Sequence, residues 1–285
     1  MKILVIGATG MLGNTLFRFL TDNSVSNEVL GTIRSSGNLN LFDDKYRNCL
    51  ISNIDIENHD SLVNLLSNIR PDVVINCAGI IKQLKNASDP LSVISINAYY
   101  PHKLAKLSSL LDARLIHIST DCVFSGRKGG YKEEDECDAS DLYGLSKNIG
   151  EVKYDNCLTI RTSMIGHELN SSNSLVDWFL NQEGQVNGYS KAIFSGLPTV
   201  ELANVINSYI LPDSDLHGLY HVSAEQISKF DLLNLVSKIY NKKITIINDE
   251  NVVINRSLDS AKFKKITGYV PPDWEKLIIS MKDFG

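Results

Sequence analysis

Three polar side chains stand together where the apolar run "ARLIHIST" ends: Thr120, Asp121 and Cys122. Tyr143 and Lys147 follow four apart in "LYGLSK", a spacing that puts both on one face of a helix. A hydroxyl, a phenol and an ammonium are the parts needed to reduce a ketone. Hydride arrival builds negative charge on the carbonyl oxygen, and a phenol can donate a proton there. Its free pKa is about 10, so a nearby ammonium is expected to lower it toward neutrality. Thr120 would hold the oxygen by a hydrogen bond. The bland alternative is a tyrosine packed on a helix beside a solvated lysine, and the spacing alone does not separate the two.

A hydride needs a donor, and the start of the chain offers a place for one. "GATGMLG" sets Gly7, Gly10 and Gly13 between the buried-strand pattern "KILVI" and the helical pattern "MLGNTLFRFL". Glycines let the backbone turn tightly and approach a pyrophosphate, which then rests on helix N-terminal amides. A dinucleotide with a free ribose usually meets an acid at the end of the second strand. "VLGTIRSSGN" has none there and carries Arg34, Ser35 and Ser36 instead. A guanidinium fork suits a 2′-phosphate, so NADP(H) is favoured, with NAD(H) as the alternative. Asp55, in "NIDIEN", is expected at the end of the third strand, where a carboxylate would accept from an adenine amine.

Strands and helices must bring these residues to one place. Apolar runs alternate with amphipathic segments up to Arg161, which predicts a parallel sheet covered on both faces. Such sheets bind ligands at the carboxyl ends of their strands, where Gly7, Asn76, Ser119 and Thr120 fall. One long helix is expected from Pro90, and another from Leu142 to Tyr154. After Arg161 the regularity fades into a smaller lobe. The expected division is a dinucleotide-binding domain over 1–162, joined by about 199–222, and a substrate lobe from 163–198 and 223–285.

Bulk composition narrows the function classes. The 285 residues are 43% hydrophobic and 21% charged, with a net charge of −5. No basic cluster appears, so nucleic acid is not the expected partner. No apolar run approaches a membrane span, and the opening run is too short for a signal peptide. The five cysteines are odd in number and lack a C-x-x-C pair. That predicts neither disulfides nor a metal site and fits the cytoplasm. His217 and His221 read as unrelated histidines, and "KEEDE", residues 132 to 136, as a solvated loop.

Taken together, "GATGMLG", "HISTDCVFSG", "YGLSK" and "IRTS" resemble an extended short-chain dehydrogenase/reductase. "RTSMIG", "FSGLPTVELA", "GLYHVS" and the tail "SLDSAKFKKITG" are most similar to its dTDP-4-dehydrorhamnose reductase branch. The resemblance covers nearly the whole chain. It implies an α/β fold: a Rossmann-type doubly wound parallel sheet with a smaller C-terminal substrate-binding lobe. It implies NADPH-dependent reduction of a 4-keto-6-deoxy sugar carried on a nucleoside diphosphate, with Thr120, Tyr143 and Lys147 as the catalytic set. Thr9, Met11, Leu12, Ile56, Cys77, Ala78, Gly79 and Asn97 would join the cofactor site. Asp121, Val123, Phe124, Ser163, Phe194, Leu197, Pro198 and Thr199 would line the sugar-nucleotide cleft. A homodimer is admitted by the family pattern.

One departure leaves an alternative open. Related dehydratases carry a second acid where Cys122 stands, so dehydration is not expected. A thiol at this position is similar to the GDP-fucose synthases, which pair a cysteine with a histidine to epimerise beside the ketone. His167 falls near that histidine. Other readings are a small apolar filler at Cys122, a redox-neutral 4-epimerase, or a regulatory subunit that binds the dinucleotide without turning it over.

Overall fold

The apolar runs of the first half become strands that meet side by side, in a computed structural model that describes residues 1–23, 26–84 and 87–285. These are β1 (Lys2–Ile6), β2 (Glu28–Thr32), β3 (Leu50–Ile51), β4 (Val73–Asn76), β5 (Arg114–Ile118) and β6 (Cys157–Arg161). The chain then forms β7 (Met164–Ile165), β8 (Gln185–Tyr189), β9 (Ala192–Phe194) and β10 (Leu197–Pro198) before β11 (Gly218–His221) returns to the main sheet. The sheet runs β11-β6-β5-β4-β1-β2-β3, and each of its pairs is parallel. The order reverses between β1 and β4, which opens a crevice at the strands' carboxyl ends.

Helices cover both faces. They are α1 (Met11–Asn23), α2 (Asp44–Arg47), α3 (His59–Ile69), α4 (Pro90–Val93), α5 (Tyr100–Ser109), α6 (Leu142–Ile149), α7 (Leu175–Leu180), α8 (Thr199–Val205), α9 (Lys229–Ile239), α10 (Ala261–Thr267) and α11 (Trp274–Phe284). On one face, Leu16, Phe17 and Leu20 of α1 join Leu202 and Ala203 of α8 against Ile3, Val5, Ile116 and Ile160. On the other, Leu62 and Leu66 of α3 and Tyr100 and Leu104 of α5 cover Leu4, Val74 and Leu115. Each such fully buried large side chain contributes about 1.5–3 kcal/mol.

Two expected helices differ in form. The one opening at Pro90 starts as predicted, with the Asp89 side chain accepting from the backbone N–H groups of Leu91 and Ser92. It then widens to π geometry over Ile94–Tyr99 before resuming as α5. Pro101 lies just beyond and has no N–H to continue an α ladder. The helix expected to reach Tyr154 stops at Ile149, where Gly150 caps it. A Cβ on Gly150 would run into the Asn97 carbonyl, and the turn sends Glu151 into the interior.

The lobe pairs β8 with β13 (Thr245–Asp249), β9 with both β12 (Ile227–Ser228) and β14 (Ile254–Asn255), and β7 with β10. Its core is Val176, Phe179, Leu232, Val236 and Ile278. Among the described residues no helix is long and apolar enough to cross a membrane.

Candidate active site

The ladder between β5 and β6 continues past the strand ends, which fixes the backbone that carries Thr120. Ser119 N–H donates to the Ile160 carbonyl at 2.7 Å, and Asp121 N–H to the Thr162 carbonyl at 3.1 Å. The chain then makes one tight turn over Asp121–Val123, capped by Thr120. The Thr120 hydroxyl accepts from the Cys122 N–H at 3.1 Å and donates to the Asp121 carboxyl at 3.1 Å.

Helix α6 starts directly against this turn. Its cap is Asp141, whose side chain accepts from Gly144 N–H at 3.0 Å and meets Lys82 Nζ at 2.8 Å. A Cβ at position 144 would run into the Cys122 carbonyl, so glycine is what lets the helix approach so closely. Tyr143 and Lys147 share the inner face of α6, which packs against the turn that carries Thr120. Lys147 is 5% exposed, and its Nζ donates to the Ile118 carbonyl at 2.8 Å.

The electrostatics correct one expectation. Burial pushes the Tyr143 phenol well up, Cys122, Asp121 and Asp141 act in the same direction, and the Thr120 hydrogen bond opposes them. The phenol is therefore held protonated and is not drawn toward neutrality. Lys147 is lowered to about 8, chiefly by burial, with Glu151 and Cys77 acting the other way. Burial also raises the Asp121 carboxyl against the pull of Arg256 and of hydrogen bonds from Thr120, Cys122 and Ser163. The Cys122 thiol is raised to about 11 by burial and by Asp121, so it rests as a thiol.

The glycine turn has the geometry a dinucleotide needs. Gly7 sits at φ 87°. A Cβ there would come 3.2 Å from the Ala78 N, and one on Gly13 would strike the Gly7 carbonyl. Gly10 N–H closes the turn on the Gly7 carbonyl at 3.0 Å. Thr9, Gly10 and Met11 are at the rim, whereas the Leu12 side chain is buried. The first amides of α1 have no partner within the helix. Gly7 N–H donates to Thr32 Oγ1 at 3.1 Å, which ties this turn to the end of β2. Arg34, Ser35 and Ser36 are all exposed just beyond. Ser36 N–H donates to Asn53 Oδ1 at 3.3 Å. Asp55 and Ile56 follow β3 after a short loop, with the Asp55 carboxylate accepting from Glu57 N–H at 3.1 Å. Cys77, Ala78 and Gly79 continue from β4 at the crevice.

Several expected residues serve the framework instead. Asn97 is 1% exposed; its amide brackets Ile80, accepting from the N–H and donating to the carbonyl, both at 2.9 Å. Asn76 is fully buried and donates to His117 Nδ1 at 3.1 Å. Val123 and Phe124 are fully buried, and Phe124 stacks on Tyr131 with ring centroids 4.1 Å apart. They pack under the site and do not line a cleft. Phe194, Leu197, Pro198 and Thr199 are likewise buried. Phe194 meets Trp274, and the Thr199 hydroxyl meets that of Thr15 at 3.0 Å. Phe194, Leu197 and Pro198 lie in short strands and Thr199 opens α8, where the lobe joins the main core, so their side chains fill space. Ser163, half-buried beside Asp121, does reach the site.

His167 is not brought to Cys122. Its Nδ1 meets Asp177 at 2.5 Å and its Nε2 meets the Tyr240 hydroxyl at 2.8 Å. The acidic run is only partly solvated, because the Glu133 carboxylate accepts from His221 N–H at 2.8 Å. Sequence reasoning missed Lys82, Glu151, Arg161 and Arg256 near the site. Two of these had a signal: Glu151 lies four after Lys147, and Arg161 is the one charge in the strand pattern "CLTIR".

Comparison with known proteins adds a family to this geometry. The model of the RmlD substrate binding domain matches residues 1–283. The chain is 25% identical over 313 residues to a dTDP-4-dehydrorhamnose reductase of Aggregatibacter actinomycetemcomitans, covering 99% of each. It is 26% identical over 290 residues to the methionine adenosyltransferase 2 subunit beta of Xenopus tropicalis, covering 93% of this chain and 82% of that one. The crystal structure of a Bacillus anthracis dTDP-4-dehydrorhamnose reductase in complex with NADP superposes with a TM-score of 0.80 at 24% identity, over 99% of this chain and 98% of that one.

Proposed function

The chain belongs to the RmlD substrate binding domain family, and we propose that it is an NADPH-dependent oxidoreductase of deoxysugar biosynthesis. Its substrate is a 4-keto-6-deoxy sugar linked to a nucleoside diphosphate, and its product is the corresponding 4-hydroxy sugar. The observation that carries this reading is the close packing of α6, with Tyr143 and the buried Lys147 one turn apart on its inner face, against the turn that carries Thr120.

The dinucleotide, when bound, supplies the hydride. Gly7, Gly10 and Gly13 would hold its pyrophosphate on the first amides of α1, Arg34 with Ser35 and Ser36 its 2′-phosphate, and Lys147 its ribose near the reacting carbon. The glycine cradle that a Cβ would fill supports this fit. Thr120 orients the ketone oxygen by a hydrogen bond. Tyr143 is held as the protonated phenol, the form required to give a proton to the oxygen as negative charge develops on it. The Lys147 ammonium adds positive field beside that oxygen. Hydride on carbon and a proton on oxygen together complete the alcohol.

Epimerisation beside the ketone would need a basic thiolate and its histidine. Cys122 is held as the thiol, and His167 is bonded to Asp177 and Tyr240, so plain reduction is the reading we adopt. The sheet with α8 and β11 forms the cofactor half, and the segments 163–198 and 223–285 the sugar half. A cytoplasmic location, supported by five free cysteines, and a homodimer belong to the same proposal.

The test follows NADPH absorbance with a panel of nucleoside-diphosphate-linked 4-keto-6-deoxy sugars. Oxidation that depends on one of these sugars is expected. NADPH binding without oxidation across the panel would instead mark a dinucleotide-binding subunit.

A further inference from the structure

Behind Thr120 lies a buried set of charges that the proposed reaction does not yet use. Glu151 follows the cap of α6 and is 5% exposed; Arg161 ends β6 and is 3% exposed. The guanidinium holds the carboxylate through two contacts of 2.7 Å, Nε to Oε1 and Nη2 to Oε2. The Ser119 hydroxyl donates to the same Oε1 at 2.8 Å. Arg161 also reaches His221 Nε2 at 3.3 Å and Cys137 Sγ at 3.1 Å. One carboxylate thus joins the ends of β5 and β6 to the end of α6, and its guanidinium extends the tie to β11.

Lys147 lies four residues before Glu151, and both are buried. The Lys147 Nζ donates to the Ile118 carbonyl, and the groups coupled to it by charge are Glu151, the Cys77 thiol after β4 and neutral His117 from β5. Cys77 is pushed up to about 12 by burial, so it stays a thiol and offers no charge. His117 is held well below its usual range, first by burial and then by Lys147 and His102. Glu151 is therefore the carboxylate whose charge acts on this ammonium.

We propose that Glu151 is a positioning residue of the site: anchored by Arg161, it fixes the Ser119–Thr120 strand end and keeps Lys147 charged. The inference rests on the reductase reading for its consequence in turnover, but not for its physical content. Arg161 pairs with the buried carboxylate, and the buried Lys147 feels the same charge. Removing that charge leaves both cations without an anion in a region that excludes water, where the neutral form of the lysine is favoured. Arginine does not give up its proton, so Lys147 is the group that responds. Loss of the ammonium removes the positive field proposed to assist the ketone oxygen.

The experiment uses the full chain without substrate. The ionisation of Lys147 is followed by lysine side-chain nitrogen NMR, its signal assigned by loss in Lys147→Met. Glu151→Gln keeps the shape and an acceptor for Ser119 but not the charge. Its Lys147 midpoint is expected to fall by about 1 unit or more from the wild-type value. Glu151→Asp keeps the charge on a shorter arm and should give a smaller fall, which serves as the readout if Glu151→Gln does not fold. In turnover, the alkaline limb moves to lower pH in the same order, since activity is lost as pH rises through the Lys147 midpoint. A midpoint in the folded variants indistinguishable from wild type would overturn the proposal. Failure of the wild type to oxidise NADPH would sink the reductase reading alone, because the titration needs no substrate.

Discussion

The region around α6 and the C-terminal lobe are held together by different forces. At α6, buried charges and hydroxyls are tied by directional bonds: Glu151 to Arg161 and Ser119, Lys147 to Ile118, and Thr120 to the turn beneath it. In the lobe, Val176, Phe179, Leu232, Val236 and Ile278 pack without polar partners. The lobe's lysine ion pairs, such as Lys238–Glu275, stand at the surface, with side chains 71% and 57% exposed. Directional bonds fix atoms to a fraction of an ångström, which proton delivery requires. Apolar packing tolerates changes of shape, which suits a part that selects among sugars and bases.

The comparison is broken most severely at Arg161. Arg161→Met leaves a buried carboxylate without its guanidinium and should cost about 3–5 kcal/mol in a denaturant titration. A loss under about 1 kcal/mol would mean the α6 region does not depend on its ion pair. Acid should expose the same asymmetry. His221 is held down to about 4 by burial and by Arg161, whereas in the unfolded chain it returns to about 6.5. Between those values the unfolded chain binds a proton that the folded chain refuses, so stability falls as pH drops through that window. The effect of this one histidine grows to about 3 kcal/mol at the acid end. His221→Asn should flatten the slope, and hydrogen exchange should show the main sheet loosening before the lobe.

The cofactor edge comes next in size. Arg34→Ala should raise KM for NADPH by about 10–100-fold, the loss of a charge-assisted hydrogen bond, and leave KM for NADH unchanged. Equal effects on both would remove Arg34 from the 2′-phosphate site. The smallest effect belongs to the lobe surface. Lys238→Ala should change stability by under about 0.5 kcal/mol, and a larger loss would mean that exposed pairs hold the lobe after all.

The same contrast explains what the sequence disclosed. "KILVI", "DVVINC" and "ARLIHIST" are long enough for uninterrupted apolar runs to declare buried parallel strands, and they set Gly7, Asn76 and Thr120 at their ends. The lobe strands β7, β10, β12 and β14 have two residues each, too few for any period to show. Resemblance alone points Phe194, Leu197 and Thr199 to a cleft, and tertiary packing turns their side chains inward. His167 is a similar case, since nothing local to "MIGHE" foretells that Asp177 and Tyr240 will take both ring nitrogens. The direction of the Tyr143 shift was also out of reach, because it depends on burial, which spacing on a helix does not reveal.

The central claim is that the phenol of residue 143 delivers the proton to a ketone oxygen gripped by Thr120. It is tested most directly by NADPH oxidation in Tyr143→Phe, measured with the sugar that the wild type reduces. Turnover is predicted to fall by about 1,000-fold while the NADPH Kd stays within about threefold of wild type. Turnover within about tenfold of wild type would contradict the account.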